Sequence, residues 1–185
     1  QFEEGYRYYI VSQARDASNP VNFETSFSTY VFIVDRTTPT VAIAAPVHQG
    51  FFNSLSALSG TVSNTAPPPG SVPSPLDYIQ LQLSDTDRLP NQFWNFNTQA
   101  WQSASISTTI AGTTSWNIAA AYLPANTPAG ATSWAVGRSS ATFVLKALAA
   151  DLTGNTTSFA AYQSTFTLDL VNPESDITTP TPAQE

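Results

Sequence analysis

The sequence predicts an all-β protein arranged as a sandwich, and three observations predict it. Short stretches of apolar alternation recur along the whole chain. Pro, Gly, Asn, Ser and Thr punctuate them at intervals of roughly 8 to 15 residues, the spacing of strands joined by turns. The one stretch that invites a helix, the Ala-rich Trp116–Leu123, is boxed in by Gly112-Thr113-Thr114 before it and Pro124 after it, which favours a strand there.

Tyr78-Ile79-Gln80-Leu81-Gln82-Leu83 carries the clearest alternation. Ile79, Leu81 and Leu83 share one face and the two glutamines with Tyr78 share the other, the pattern of a strand buried on one side. Further strands are expected at Tyr8–Ala14, Tyr30–Val34, Thr40–Ala45, Ala57–Val62, Phe93–Asn97, Ser115–Ala120, Thr142–Ala149 and Ser164–Leu170. The proline-rich stretch from Thr65 to Pro75 reads as an extended connection. Residues 173–185, with prolines at 173, 180 and 182, read as a linker or frayed tail.

Composition narrows the function. Apolar residues make up 42% of the 185, enough for a core, while charged residues make up only 10%. Ser and Thr total 45, so hydroxyls rather than charges wet the surface. With one lysine, Lys146, and a net charge of -7, the chain lacks the basic patch that nucleic acid requires, and an anionic membrane surface is equally unsuitable. No apolar run reaches the ~18 residues of a membrane span. The absence of cysteine excludes disulfides, thiolate metal sites and a Cys nucleophile. Position 1 is Gln rather than Met, which reads as a processed product or a piece of something longer.

The chain also contains part of itself twice. Tyr8, Ile10, Ser12, Ala14 and Asp16 alternate as Phe143, Leu145, Ala147, Ala149 and Asp151 do, and the stretch from Ser28 to Asp35 is matched by that ending at Asp169. The loops Asp16-Ala17-Ser18-Asn19 and Asp151-Leu152-Thr153-Gly154-Asn155 absorb a one-residue offset, with Asn19-Pro20 standing for Gly154-Asn155. Residues 1–39 therefore read as the last two strands of one module, and residues 40–172 as a complete module. A lone hairpin is marginal in water. Tyr8, Ile10, Phe32 and Val34 would be left on an uncovered face, so the hairpin must pair with something. Three partners stay open: a missing part of its own module, the complete module in this chain, or a neighbouring copy by strand exchange, which would build a homopolymer.

The repeated residues resemble bacterial Ig-like repeat modules. Phe143-Val144-Leu145-Lys146-Ala147-Leu148-Ala149-Ala150-Asp151-Leu152-Thr153-Gly154-Asn155 is similar to their penultimate strand, and Asp35-Arg36-Thr37-Thr38-Pro39-Thr40-Val41 to the junction between modules. Leu58-Ser59-Gly60-Thr61-Val62-Ser63 resembles the second strand, and Phe93-Trp94-Asn95 with Trp101 and Thr114-Ser115-Trp116 the Trp-bearing middle hairpin. The resemblance implies an Ig-like β-sandwich, found in spacers of large secreted adhesins, sheath or surface-layer proteins and polysaccharide-acting enzymes. It implies an extracellular or cell-surface location and leaves the target open.

Candidate chemistry is sparse. His48, the only histidine, sits in a loop with no nucleophile elbow nearby, and Asp85-Thr86-Asp87 after a strand could pair carboxylates for glycoside hydrolysis. Neither displaces the noncatalytic reading. Asp16, Asp35, Asp151 and Asp169 fall at module ends, where they either cap turns or supply oxygen to calcium. Asp151 is expected to accept backbone N–H groups of its turn, with Gly154 and Asn155 taking positive φ. Trp94, Trp101 and Trp134 either fill the core or form a platform for a surface glycan. Asn155-Thr156-Thr157 fits a glycosylation sequon. The reading that results is a structural repeat that contacts neighbouring modules or copies of itself. The alternative is a carbohydrate-binding or accessory module of a polysaccharide-acting enzyme.

Overall fold

A computed structural model describes residues 1–65, 71–125, 133–134, 136 and 138–175. Most of the tail and the centre of the proline-rich stretch lie outside the described residues. Among the described residues the fold is all-β: β1 (Arg7–Ser12), β2 (Ser28–Ile33), β3 (Thr40–Ala45), β4 (Gly50–Phe52), β5 (Ala57–Ser63), β6 (Leu76–Asp85), β7 (Gln92–Asn95), β8 (Ala100–Gln102), β9 (Thr108–Ala111), β10 (Ser115–Ala119), β11 (Ser140–Asp151) and β12 (Gln163–Asp169). The stretch that invited a helix is divided: it runs as a strand to Ala119 and then closes a single 3-10 turn, Ala120–Tyr122.

Residues beyond 40 form two facing sheets. The smaller has the order β10-β5-β3. The larger runs β4-β12-β11-β6, and the far edge of β6 is divided between β7, at Ser84 and Asp85, and β9, at Tyr78 to Leu81. All these pairs are antiparallel except β4 with β12. The alternation of β6 works as expected: Ile79, Leu81 and Leu83 are fully buried, opposite Ala149, Ala147 and Leu145 of β11. Burying each such Leu or Ile contributes about 1.5–3 kcal/mol. Val41, Leu58, Val62 and Trp116 close the core from the smaller sheet.

One glycine is fixed by this packing. Gly60 on β5 lies opposite Trp116 on β10. A Cβ there would stand 2.1 Å from the Ala42 carbonyl oxygen and 2.4 Å from the Trp116 ring. Neither neighbour can retreat without opening the sheet.

β1 and β2 form a separate two-stranded sheet. Its register repeats that of the closing hairpin. Tyr8 faces Phe32 as Phe143 faces Phe166, and Ile10 faces Tyr30 as Leu145 faces Ser164. The surroundings differ. β11 and β12 are flanked by β6 and β4, whereas β1 and β2 have no other strand beside them among the described residues. Phe143 and Leu145 are 0% exposed, yet Ile10 is 54% and Tyr30 68% exposed. Phe2 partly covers this face, its ring centroid 4.7 Å from that of Tyr8 and 5.2 Å from that of Phe32. The opposite face also exposes Tyr9, Val11 and Val31.

Replacing Gly60 by alanine is expected to destabilise the sandwich by about 1–3 kcal/mol, the usual cost of overpacking. A denaturation midpoint unchanged from the parent chain would refute the close approach described here.

Candidate functional site

The richest polar cluster lies where the N-terminal hairpin meets the sandwich, and it is built on the Asp151 turn. Asp151 ends β11 and is 1% exposed. Its Oδ1 accepts from the Thr153 N–H at 2.9 Å, the Thr153 hydroxyl at 2.7 Å and the Asn155 N–H at 3.0 Å. Its Oδ2 accepts from the Asn155 side-chain amide at 2.9 Å. Gly154 supplies the positive φ of the turn, at +90°. Asn155 does not: its contribution is the side chain, which corrects the expectation that both residues would take the left-handed region.

The same Asn155 amide donates to the Asp35 carbonyl oxygen at 3.0 Å. Asp35, just beyond β2, is buried, and its carboxylate accepts from the Thr37 N–H at 2.9 Å and the Ser74 N–H at 2.6 Å. Asn64, at the end of β5, donates to the Ser74 carbonyl at 2.8 Å and to Asp151 Oδ2 at 3.3 Å. A second strand of contacts runs beside this one. Gly5 N donates to Val34 O at 2.7 Å, and Val72 N donates to Gly5 O at 3.1 Å. Gly5 lies so close to Ser71 that a Cβ would stand 2.2 Å from the serine Cβ, and its φ is +74°. Glu4 accepts from the Arg36 N–H at 2.6 Å. The hairpin is therefore tied to the end of the sandwich by buried amides and carboxylates.

The Asp16 turn repeats the Asp151 turn. Asp16 Oδ1 accepts from the Ser18 N–H at 3.1 Å and the Asn22 N–H at 2.9 Å, and Oδ2 accepts from the Asn22 side-chain amide at 2.9 Å. The backbone agrees: Asp16 N donates to Asn22 O at 3.0 Å as Asp151 N donates to Asn155 O at 3.1 Å. The counterpart of Asn155 is thus Asn22, not the Asn19-Pro20 step, because the Asp16 loop is two residues longer at this point. At the other end Asp169 repeats Asp35, with Oδ1 accepting from the residue two positions on, Val171 N at 3.1 Å. Asp169 is exposed where Asp35 is buried.

Asp151 and Asp16 titrate as their bonding requires. Burial pushes Asp151 up, but the hydrogen bonds from Asn155 and Thr153 outweigh it and hold the carboxyl below its ordinary value of 3.8. The Ser18 hydroxyl and the Asn22 N–H hold Asp16 lower still. The four aspartates proposed for calcium are engaged by donors in this way. Among the described residues no group of three or more His, Cys, Asp or Glu side chains comes together. The Asn155 amide of the sequon is committed to Asp151 and Asp35.

The tryptophans are core residues. Trp94 is 1% and Trp134 0% exposed, and Trp101 stacks on Phe143 at 5.9 Å between ring centroids. Trp94 Nε1 donates to the Tyr122 carbonyl at 2.8 Å and Trp101 Nε1 to that of Ser133 at 2.9 Å. A ring buried to this degree presents no face to a sugar, so the platform expected of Trp94 and Trp134 is corrected to packing. Asp85 and Asp87 are likewise occupied. Asp85, fully buried, is paired with Arg138 and with Arg88, the latter at 2.9 Å, and Asp87 accepts from the Thr142 N–H at 2.7 Å. His48 Nδ1 accepts from the Thr165 N–H at 3.1 Å and so pins its loop to β12.

Of the residues singled out in the sequence, Asp35 and Asp151 are brought into one network, while Asp16 and Asp169 repeat the two local turns of that network. Tyr8, Ile10, Phe32 and Val34 share one face of the hairpin. Sequence reasoning missed Asn64, Ser74 and Gly5, whose roles depend on a loop folding back on the joint. No protein-family model matches the chain, and no curated protein is similar to it. No helix among the described residues is long and apolar enough to cross a membrane.

The depressed Asp151 value means that its stabilisation is complete above the unfolded carboxyl's pKa and is lost as pH falls through the folded one. Acid titration of stability below about pH 4 should therefore be steeper in the parent chain than in Asp151→Asn. Equal slopes would refute the assignment. With Asp16, Asp35 and Asp151 engaged by donors and no cluster of three acidic side chains among the described residues, added calcium is expected to leave the melting temperature unchanged.

Proposed function

We propose that the chain is a noncatalytic structural repeat of an extracellular or cell-surface protein, serving as a stalk, sheath, surface layer or filament element. Its modules are of the Ig-like kind and follow one another head to tail, and adhesion is a further role within this reading. The observation that carries it is the polar joint: one module end, Asp35, is gripped by the Asp151 turn of the next, and both halves of that joint recur at Asp16 and Asp169. A joint repeated along the sequence sets the angle between consecutive modules, which is what a spacer needs. The lack of cysteine and the hydroxyl-rich surface support a construction that relies on burial and hydrogen bonds rather than disulfides.

Asn155→Ala removes one of the two donors to the Asp35 carbonyl, the other being the Thr153 hydroxyl, and one donor to the buried Asp151 carboxylate. It is expected to loosen the hairpin against the sandwich, read as altered residual dipolar couplings across the joint, and to lower the melting temperature, since a buried carboxylate loses a donor worth about 1–3 kcal/mol. Unchanged couplings would count against a spacer role for the joint.

A second reading, a carbohydrate-binding module, draws on a cleft of about 440 Å³ between β9 and β10 rather than on the tryptophans. Ile110 and Ile118 form part of its floor, Asn97, Gln99 and Thr108 part of its rim, and the half-exposed Tyr122 stands at its side. The lining has no charged residue, which suits a neutral sugar. Glycan-array binding that is lost in Tyr122→Ala would favour this reading, and an array without signal would remove it.

A further inference from the structure

We infer that His48 is a pH-operated clasp: protonation of its ring releases the segment 47–52, β4 included, from the edge of β12. The device is local to this edge and independent of the proposed spacer role.

The imidazole occupies a place that belongs to a backbone carbonyl. β4 runs parallel to β12, with Gly50 opposite Phe166, Phe51 opposite Thr167 and Phe52 opposite Leu168. Extended by one pair, this register sets Gln49 opposite Thr165, and a regular parallel ladder would take the Thr165 N–H to the His48 carbonyl. The ladder breaks at that point. Gln49 has a φ of +60°, uncommon for a residue with a side chain, and its N–H donates to the Thr165 carbonyl at 2.6 Å. The Gly50 N–H turns back to the Val47 carbonyl at 3.0 Å. The Thr165 N–H is met instead by the ring of His48, whose Nδ1 accepts it at 3.1 Å.

A carbonyl accepts at every pH, whereas an imidazole accepts only while neutral. An imidazole takes up its second proton between about pH 5 and 8. Both ring nitrogens then donate, so turning the ring over restores no acceptor, and two N–H groups confront each other. The bond is therefore present above this range and lost below it. His48 is exposed and borders a cleft of about 170 Å³ lined also by Val41, Ile43 and Tyr162, so protons reach the ring without any opening of the core.

The elements around the ring supply little charge to offset the change. β3, β4 and the loop 46–49 carry no charged residue apart from His48 itself. β12 carries only Asp169, four positions beyond Thr165, and its carboxylate accepts from the Val171 N–H. Lys146 on β11, opposite Gln163, is a cation and does not attract an imidazolium. Tyr162 presents a phenol, a group uncharged through this range.

What else holds β4 is small. Its three residues pair with β12 alone, and Phe51 is 78% exposed. Phe52 meets Phe166 edge-on, at 6.3 Å between ring centroids. The Ser164 hydroxyl donates to the Pro46 carbonyl at 2.8 Å, a bond that protonation does not touch and that makes Pro46 the hinge.

The test uses the full chain, with amide hydrogen exchange expressed as protection factors so that the intrinsic effect of pH cancels. Between about pH 7.5 and about pH 5, protection at Thr165, Thr167 and Gln49 is expected to fall at least about tenfold. The midpoint should match that of the His48 ring titration followed by NMR. The amides of Leu81, Leu145 and Ala147 in the core should keep their protection. His48→Gln and His48→Ala place no titrating group at this position, so in both the fall should disappear, whatever the level of protection. Three results would overturn the clasp: equal protection at the two pH values in the parent chain, a fall that persists in either variant, or a fall shared by the core amides at the same midpoint.

Discussion

The structure depends on a carboxylate enclosed by its own turn. Asp151 closes β11, organises the next four residues, and through Asn155 reaches the backbone of the preceding segment. A buried carboxylate is tolerable only when its lone pairs are filled, and here N–H, hydroxyl and amide donors fill them. The consequence is that strand termination and attachment of the N-terminal hairpin are one construction. The Asn155 side-chain amide reaches Asp151, Thr153 and the Asp35 carbonyl together, and so serves both purposes.

The hairpin of β1 and β2 gives the internal control. It has the register of β11 and β12 and the same carboxylate-centred turn, but not the flanking strands. Its aromatic side chains are adapted to that situation only in part. Phe2 folds across Tyr8 and Phe32, yet much of the remaining apolar surface meets water. The contrast separates what two strands specify by themselves, namely register and turn, from what needs a second sheet, namely burial.

Much of the fold was legible because its signals are local. The period of two in β6 and β11, the proline and glycine boundaries, and the duplicated Asp positions all read correctly from residue order. The short strands β4, β8 and β9 were not legible: three or four residues carry too little alternation, and their pairing is decided by neighbours. The aromatics misled for a related reason. Phe93, Trp94 and Phe96 put rings on both faces of one strand, which suggested an outward platform. Phe96 and Trp94 are both enclosed, because the 3-10 turn at Tyr122 covers that strand and takes the indole hydrogen bond. The joint was half legible. The aspartates announced themselves by repetition, while Asn64, Ser74 and Gly5 acquire meaning only once the loop before β6 returns to them.

The materials of the joint also set its response to surroundings. Apart from the pair of exposed Arg36 with half-buried Glu4, it is made of dipoles and shielded carboxylates in direct contact. Dissolved ions weaken attraction between charges separated by water and scarcely reach groups that touch. The attachment of the hairpin to the sandwich is therefore expected to hold from dilute fresh water to brine, a property that a linkage made of surface ion pairs could not offer.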